Sequence, residues 1–428
     1  MPLARASKSR HVRVSPPWIA AGASGNRRAC SSHMSAKFHP EFVVGVVTSG
    51  NTILGRVNHL LPGDEDERRI TVRRWLSDNP RPSGRQLAEA GYVAPHLPVP
   101  WGLGADPIHQ LIIDDELKRA GVSRPSNAIG IGWAGPTIVH AGSEEQKRRY
   151  VPKILSGEEI WCQLFSEPEA GSDLASLRTR AVLDGDEWVV NGQKIWTSGA
   201  QHSQFGILLA RTDPDAPKHR GITYFICPMD LPGIEVRPIR EMTGGETFNE
   251  VFLTDVRLPC DAVVGDVNDG WRLAKVTLGN ERVSLSTGGI LWGHGPTAMN
   301  LVDQIRMKGG VADPVMRRRV VDVWIEHQIL ELIRMRTLVA RLRGEQPGPE
   351  ASIRKILADE HGQHVASLAV DMMGAEGVLG SNVDIDHAVW TGAFLFSQAL
   401  TVGGGTGNVQ RNIVGERVLQ LPHEPGIV

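Results

Sequence analysis

The spacing of hydrophobic and polar positions changes character twice along the chain, near residue 160 and again near residue 270. In the first block, the stretches 67–75 and 108–120 lack internal glycine or proline and repeat their apolar residues at helical intervals. Ser143 precedes Gln146 in the arrangement of a capping box, in which a side chain and the backbone satisfy each other at a helix start. The pattern predicts that residues 62–160 form a helical domain.

The second block, residues 161–270, has the shorter period of β-strands. The turn sequences Asp184-Gly185-Asp186 and Asn191-Gly192 lie beside β-rich runs at 187–190 and 195–197, which indicates hairpins. Further strands are predicted at 205–210, 222–227, 234–239 and 250–253. We expect a small β domain, an antiparallel barrel or sandwich.

Beyond residue 271 the helical period returns, and helices are predicted at 281–302, 315–343, 351–373 and 406–419. In the second of these helices one face carries the apolar residues Val321, Ile325, Leu332, Met335, Val339 and Leu342. We interpret this face as core packing in a four-helix bundle. The predicted fold class is therefore α+β and multidomain. It has an extension over 1–61 that is largely disordered or of uncertain structure, a helical domain over 62–160, a β domain over 161–270, and a helical bundle over 271–428.

Charge, apolar runs and cysteine spacing limit the partners and the compartment that we expect for this protein. The formal net charge of -2 gives no electrostatic reason to expect nucleic acid or an anionic membrane as a partner. No apolar run approaches the ~20 residues that span a bilayer, and the four cysteines contain no CxxC pair, which indicates a reducing compartment. Residues 1–40 are basic and serine-containing, with no acidic residue before Glu41. This segment is either an organellar transit peptide or the result of a start placed upstream of Met34.

Two motifs with possible chemistry have plainer explanations. Gly130 to Gly135 matches the pattern GxGxxG, but the segment lies among predicted helices, where no dinucleotide site is expected. His361 and His364 stand beside Glu360 at a possible ligand spacing. Because no third ligand accompanies them, we favour a solvated helix face and expect no bound metal.

Residues 161–200 read WCQLFSEPEAGSDLASLRTRAVLDGDEWVVNGQKIWTSGA. This segment is more informative about function than those two motifs. The Ser-Glu-Pro turn and the following Ala-Gly-Ser-Asp supply backbone N–H donors and a small hydroxyl, and a Trp-Thr-Ser strand follows. Such donors hydrogen-bond the edge of an isoalloxazine ring, and a tryptophan covers its face. By themselves these residues are commoner as structure than as a cofactor site.

The segment closely resembles the acyl-CoA dehydrogenase signature, and the resemblance continues in GSEEQKRRYVPKILSGE, FNEVFLTDVRLP, DGWRLA and GNVQRNIVGERVL, in order, over about residues 62–428. It implies a helical domain, a β-barrel domain and a helical bundle, with FAD as cofactor. It also implies dehydrogenation of an acyl-CoA thioester to the trans-2-enoyl-CoA and an electron-transfer flavoprotein as electron acceptor. By motif, the flavin contacts are Gln163, Phe165, Ser166, Trp196, Thr197 and Ser198, and the substrate contacts are Ser172, on the pantetheine arm, and Arg282, beside the thioester.

The family reaction needs a carboxylate that takes the α-proton while the β-hydrogen leaves as hydride to flavin N5. In many members this carboxylate precedes a Gly-Thr near the C-terminus, and that position is Gly404 here. A minority of members place it directly before the pocket arginine, where this chain has Glu281 followed by Arg282. The resemblance therefore implies Glu281 as the catalytic base, and a purely structural glutamate is the alternative.

Some family contacts across the subunit interface are altered. Arg306 matches an arginine that reaches the neighbour's FAD diphosphate, but Gly309 replaces the phenylalanine of that motif. Asp371 replaces a glutamine, and an aspartate repels a diphosphate. Thr406 leads a helix whose N-terminus is available to polar cofactor groups.

Such changes resemble bacterial members that act on bulky sterol-derived or branched acyl-CoAs, some of which are tetramers of unlike subunits. A homo- or hetero-tetramer with a related subunit is expected. Two alternatives stay open: a non-catalytic subunit that completes a partner's FAD site, and a flavin oxidase or monooxygenase on the same fold. The bacterial character of the motifs favours the cytoplasm, and the basic N-terminus leaves the mitochondrial matrix as an alternative.

Overall fold

The structure, a computed structural model, describes residues 61–285, 296–342, 348–379 and 385–423, without the side chains of 281–285, 338, 341–342 and 385–388. The predicted extension over 1–61 thus lies almost wholly outside the described residues. Among the described helices, none is both long enough and apolar enough to cross a membrane.

The chain first forms the helices predicted for its N-terminal block. They are α1 Glu67–Asp78, α2 Gly84–Glu89, α3 Pro107–Arg119, α4 Gly135–Ala141 and α5 Glu144–Ser156. The predicted capping box opens α5: Gln146 N donates to Ser143 Oγ at 3.1 Å, and Ser143 N donates to Gln146 Oε1 at 3.0 Å. The GxGxxG segment is a π-helical turn, Gly130–Ala134, that runs into α4. It is not a strand-to-helix loop.

Seven strands form one curled sheet in the middle of the chain. They are β1 Trp161–Leu164, β2 Arg180–Asp184, β3 Glu187–Ser198, β4 Phe205–Arg211, β5 Ile222–Pro228, β6 Ile234–Pro238 and β7 Phe248–Pro259. The order is β1-β4-β2-β3-β7-β6, and β5 pairs with β4. The expectation of a wholly antiparallel domain was wrong, because β1 lies parallel to β4 and β2 meets β4 in parallel at one residue pair. The sheet is therefore mixed.

Asn191-Gly192, predicted as a hairpin turn, lies within β3. The β3–β7 register shifts there, between Val190 and Gly192. A Cβ on Gly192 would come within 2.4 Å of Thr179 Oγ1. Glycine is thus needed at this irregularity because the backbones of β3 and Thr179 approach closely. The chain does not reverse here, so the predicted hairpin turn was wrong.

Helices complete the described chain. They are α6 Gly270–Leu285, α7 Ala298–Met307, α8 Pro314–Leu342, α9 Ala351–Met373, α10 Ala375–Leu379, α11 Ile385–Ser397 and α12 Gly407–Ile413, which continues as a π-helical turn over Val414–Val418. The predicted helix 281–302 was wrong in its limits, since α6 begins at Gly270 and α7 is a separate element. The domain limits at 62–160, 161–270 and 271–428 stay predictions.

The apolar face predicted for the core of the bundle is largely exposed among the residues that the structure describes. Val321, Ile325, Leu332 and Val339 are exposed, and Met335 is half-buried. The side chain of Leu342 lies outside the described residues. The bundle core instead uses the residues Ala298, Leu301, Ile305, Val323, Val365, Leu368, Ala369 and Trp390. This face of α8 therefore lies on the surface of the described part of the bundle.

Helix α6 begins directly against strand β5. A Cβ on Gly270 would lie 2.6 Å from the carbonyl carbon of Thr223, so only glycine permits this approach. Deeper in the contact, the Thr277 hydroxyl lies 3.1 Å from the Tyr224 hydroxyl and 2.9 Å from the Thr137 hydroxyl of α4. All three side chains are fully buried. This contact sets the position of α6 relative to the sheet and the N-terminal helices.

Candidate active site

The structure brings the two predicted flavin-contact segments side by side. One segment leaves the end of β1 and contains Gln163, Phe165 and Ser166, and the other ends β3 and contains Trp196, Thr197 and Ser198. The backbone N–H of Ile195 donates to the carbonyl oxygen of Ser166 at 3.0 Å. Six residues that are separated by a hairpin in sequence therefore form one surface.

Two buried polar atoms at this surface have no partner within the described protein. They are the Gln163 amide nitrogen Nε2 and the Thr197 hydroxyl Oγ1. Buried polar groups are almost always hydrogen-bonded, so one such atom on each of the two segments leaves both segments open to a polar ligand. An amide donor and a hydroxyl fit the heteroatoms along an isoalloxazine edge, and the residues present therefore fit FAD.

A β-bulge presents Trp196. Lys194 pairs with Val251 and Thr197 pairs with Asn249, so β3 holds one residue more than β7 at this point. Trp196 takes a φ of 60°, which is unusual for a residue other than glycine, and it is 58% exposed. The bulge interrupts the strand alternation, so that Lys194 and Thr197 both point inward while the indole ring faces out.

A buried ion pair supports the two segments, and sequence analysis missed it. The Lys194 ammonium, 0% exposed, donates to Glu167 Oε1 at 2.8 Å and to the Phe165 carbonyl oxygen at 3.1 Å. Burial lowers the pKa of Lys194 to about 8, against the opposing effect of Glu167. Trp188 and Val190 lie on the same inward side of β3. The alternation of inward-facing and outward-facing residues along β3 could have predicted that Lys194 faces inward.

The carboxylate of Glu167 also has several hydrogen-bond partners. Its carboxylate accepts from the backbone N–H groups of Arg178 at 2.6 Å and Thr179 at 2.9 Å, in addition to Lys194. Burial raises the pKa of Glu167, but the Lys194 charge and these hydrogen bonds outweigh it and bring the pKa below its usual value. Glu167 therefore stays ionised inside the protein.

The glycine run near the C-terminus forms a tight loop. Gly404 and Gly405 have φ values of 68° and 93°, in the left-handed region. The fully buried Gln410 donates from Nε2 to the Gly404 carbonyl at 3.2 Å, and its Oε1 has no partner within the described protein. Thr406 Oγ1 accepts from Val409 N at 3.2 Å and so caps α12. Gln410 was not predicted, since only the folded loop reveals its role.

Glu281 and Arg282 lie in the last turn of α6, and their side chains lie outside the described residues. Position 281 stands one helical turn beyond Thr277, whose contacts define the side of α6 that faces β5 and α4. The backbone of Glu281 is therefore on the side of the helix that faces the sheet. The assigned roles of Glu281 and Arg282 stay predictions.

Ser172 is exposed in the turn after β1, next to a cleft that sequence analysis did not predict. The adjacent Asp173 pairs with Lys218 at 3.0 Å, which ties this turn to the loop before β5. That loop and the start of α6 surround a cleft of about 520 Å³. Its basic and aromatic lining consists of His219, Arg220, Trp271, Arg272 and Lys275, together with the acidic Asp213 and Asp269.

The remaining predicted cofactor contact lies in the bundle. Arg306 lies in the last turn of α7 and pairs with Asp303 of the same helix at 3.2 Å. Asp371, predicted to repel a diphosphate, accepts from Arg319 of α8 at 2.6 Å. This neighbouring charge offsets part of the predicted repulsion.

His361 and His364 share one carboxylate partner. Their Nδ1 atoms lie 3.0 Å and 2.8 Å from the two carboxylate oxygens of Glu326 on α8. His361 is buried, so it does not belong to the solvated face that was favoured for both histidines. Across the part of the chain that the structure describes, no group of three or more His, Cys, Asp or Glu side chains is arranged to hold a metal ion.

Comparison with protein families matches the chain in three consecutive parts. The N-terminal domain of acyl-CoA dehydrogenases matches residues 65–158, the middle domain 162–256 and the C-terminal domain 268–419. The chain therefore belongs to the acyl-CoA dehydrogenase family, whose members are FAD-dependent oxidoreductases that act on acyl-CoA. The family resemblance and the predicted fold class are confirmed.

Two relatives come from Mycobacterium tuberculosis. Acyl-CoA dehydrogenase FadE34 is 44% identical over 336 residues, which cover 78% of this chain and 45% of FadE34. This chain thus spans less than half the length of that relative. Acyl-CoA dehydrogenase IpdE1 is 37% identical over 385 residues, which cover 84% of this chain and 99% of IpdE1.

Two solved structures share the fold. The steroid acyl-CoA dehydrogenase Tcur3481-Tcur3483 superposes with a TM-score of 0.70 at 32% identity, over 86% of this chain and 96% of that chain. The ChsE4-ChsE5 complex from Mycobacterium tuberculosis superposes with a TM-score of 0.70 at 30% identity, over 85% of this chain and 99% of that chain.

Proposed function

We propose that this chain is an FAD-dependent dehydrogenase that converts an acyl-CoA thioester to the trans-2-enoyl-CoA. The observation that carries the proposal is the surface at β1 and β3, where Gln163 Nε2 and Thr197 Oγ1 are buried without a protein partner. Backbone and hydroxyl groups of Phe165, Ser166 and Ser198 complete the polar edge of this surface. FAD supplies the hydride acceptor when it is bound.

Trp196 is the residue that we propose to orient the flavin ring. Its indole is exposed on the bulge and packs edge-to-face on Phe248, with ring centroids 6.0 Å apart. Phe248 in turn stacks on Phe396 of α11 at 6.4 Å with an interplanar angle of 4°. A tryptophan held in this way offers a flat apolar face for stacking and excludes water from one side of the flavin site.

The cleft beside Ser172 is the proposed site of the CoA nucleotide. Arg220 and Lys275 supply positive charge for phosphates, and the rings of His219 and Trp271, 5.1 Å apart, supply a surface for the adenine. The Asp173–Lys218 ion pair joins the cleft to the turn that carries Ser172. A pantetheine arm that leaves the cleft along this turn passes Ser172.

Glu281 is the proposed base that takes the α-proton, with Arg282 beside the thioester. A carboxylate that is shielded from water becomes a stronger base, because burial disfavours its charged form. Gly404 has no side chain, so the position that carries the carboxylate in other members leaves room for one from α6. Residue 281 lies one helical turn after Thr277, so its backbone is on the side of α6 that faces the sheet, and this position supports the assignment.

Glu281→Gln keeps the size of the side chain and removes the base. We expect turnover with electron-transfer flavoprotein to fall about 100- to 10,000-fold while the protein still binds FAD and acyl-CoA. Unchanged turnover would refute Glu281 as the base. The reoxidation of the reduced protein in air separates a dehydrogenase from a flavin oxidase or monooxygenase, because rapid reaction with oxygen would favour those alternatives.

The substrate class we propose is a bulky sterol-derived or branched acyl-CoA, and the partner is a related subunit in a tetramer. The similar structures named for steroid acyl-CoA dehydrogenase activity and for the ChsE4-ChsE5 complex support both statements. The exposed apolar residues Val321, Ile325, Ile329, Leu332 and Val339 of α8 support a subunit interface.

A second candidate function is a non-catalytic subunit that completes a partner's FAD site. Asp371 favours it, because an anion stands where the family resemblance implies a glutamine, and Arg319 offsets its charge only in part. Coexpression with a related dehydrogenase chain, followed by measurement of subunit ratio and flavin content, tests both functions. A homotetramer with one FAD per chain would rule out the heteromeric assembly and this second function.

A further inference from the structure

The buried ion pair between Lys194 and Glu167 lies directly behind the two segments of the proposed flavin site. Lys194 Nζ donates to Glu167 and to the Phe165 carbonyl, and Glu167 accepts from the N–H groups of Arg178 and Thr179. Two side chains thus join β3 to the turn after β1 and to the chain that enters β2.

Stability alone does not explain a fully buried lysine here. Removing an ammonium and a carboxylate from water costs several kcal/mol per ion, and apolar residues of similar volume commonly serve a core as well or better. What the ion pair adds is fixed geometry, because each of its hydrogen bonds has a defined length and direction. The segments whose geometry it fixes are those that carry Gln163 and Thr197.

The bulge is held from both ends. At one end Lys194 binds the Phe165 carbonyl at 3.1 Å, and the next residue, Ile195, binds the Ser166 carbonyl at 3.0 Å. At the other end Asn249 Nδ2 donates to the Thr197 carbonyl at 2.9 Å. Between them Trp196 keeps an unfavourable φ of 60°, a conformation that persists only where the surroundings determine it.

We infer that Lys194 and Glu167 are positioning residues of the flavin site: their ion pair holds the Phe165 carbonyl and the Trp196 bulge so that Gln163 Nε2 and Thr197 Oγ1 meet the cofactor. The inference rests on the proposed FAD binding. It assigns the pair a role in cofactor geometry that is separate from its contribution to folding.

The test measures FAD affinity and thermal stability separately in the full chain. Apo-protein is titrated with FAD, and the dissociation constant is taken from quenching of flavin fluorescence. Lys194→Met leaves the Glu167 carboxylate buried without its cation, so we expect a lower Tm and weaker FAD binding. The double variant Lys194→Met with Glu167→Gln removes both charges and keeps an amide oxygen for one of the two N–H groups, since Arg178 and Thr179 donate to different oxygens of Glu167. Its Tm should recover part of the loss, because no buried charge is left without a partner.

The double variant distinguishes a role of the ion pair in the cofactor site from a role in folding alone. If the pair positions the cofactor site, FAD binding in this variant stays at least 10-fold weaker than in the wild type, and the absorbance spectrum of its bound flavin is shifted. If FAD affinity and spectrum recover together with Tm, the pair is structural only and the inference is wrong. Failure of the wild-type chain to bind FAD would overturn the proposed function first, and the inference with it.

A matched control is the buried ion pair of Arg69 and Glu116 in the N-terminal helices. Arg69→Met with Glu116→Gln removes charges of the same kind away from β1 and β3. We expect a changed Tm and a wild-type FAD dissociation constant. A loss of FAD affinity as large as that of the Lys194 and Glu167 double variant would contradict a specific role.

Discussion

Thr277 on α6 and Tyr224 on β5 join their hydroxyl groups at 3.1 Å in the interior, where neither side chain is exposed. Tyr224 also packs edge-to-face on Phe165, with ring centroids 5.9 Å apart. The helix that carries Glu281 is therefore connected through one tyrosine to the turn that carries the flavin contacts. Burial raises the pKa of Tyr224, so its hydroxyl stays protonated and able to donate.

Thr277→Val tests this connection, because valine keeps the shape and removes the hydroxyl. We expect a loss of about 1–3 kcal/mol in the free energy of unfolding, since the Tyr224 hydroxyl loses a buried partner. Turnover should fall as well, because α6 is no longer fixed against β5. Chemical denaturation and steady-state turnover measure the two effects. Thr277→Ser keeps the hydroxyl, and it should restore most of both. Wild-type turnover in Thr277→Val would contradict the positioning of α6.

Lys275→Ala tests the nucleotide cleft. Removal of a cation from a phosphate site should raise KM for acyl-CoA about 10-fold, a value that corresponds to about 1.4 kcal/mol. The KM for the same acyl group on pantetheine, which lacks the nucleotide, should not change. Arg257→Ala on β7, a surface arginine paired with Asp184 and Glu187, is the control. Equal effects of Lys275→Ala on both thioesters would exclude the cleft as the nucleotide site.

Gly405→Ala tests the glycine loop. A Cβ at this position would lie 2.5 Å from Gln410 Nε2, and the φ of 93° is unfavourable for alanine. We expect a loss of about 1–3 kcal/mol in the free energy of unfolding. Gly392→Ala in α11 is the control, since no atom lies within 4 Å of its added Cβ, and it should stabilise the protein by about 0.5–1 kcal/mol. Equal stability of the two variants would show that the loop is not constrained as described.

Asp359 makes stability depend on pH. Burial raises the pKa of its carboxyl to about 6, against the opposing effect of Lys355 at 2.5 Å. Because the folded protein binds this proton more tightly than the unfolded chain, the contribution is fully present below about pH 4 and is lost as pH rises through 6. The difference in unfolding free energy between the wild type and Asp359→Asn should therefore shift against the wild type from pH 4 to pH 7. A constant difference over this range would contradict the assignment.

Much of this organisation could be predicted from residues that are close in sequence. The Ser143–Gln146 capping box opens α5, and strand alternation locates the β-rich region. Asn191-Gly192 was misinterpreted because turn chemistry and bulge chemistry use the same residues. The apolar face of α8 was assigned to the core because periodicity reports an apolar helix face and does not tell whether that face packs inside the bundle or lies on its surface.

The parts that could not be predicted depend on contacts between distant residues. Lys194 meets Glu167 across a hairpin, and Gln410 supports the glycine loop only after the chain has turned back on itself. The basic cleft combines the loop before β5 with the start of α6. Sequence alone pointed to Ser172 and Trp196 through family resemblance, whereas their supporting residues required the folded structure.

An anaerobic absorbance titration shows whether this protein dehydrogenates an acyl-CoA with bound FAD. The purified FAD-loaded protein, alone and with a coexpressed related subunit, is titrated with straight, branched and sterol-derived acyl-CoAs. We expect a bulky acyl-CoA to bleach the flavin band and the product to be the trans-2-enoyl-CoA. A protein that takes up no FAD in either form, or a flavin band that no acyl-CoA bleaches, would contradict it.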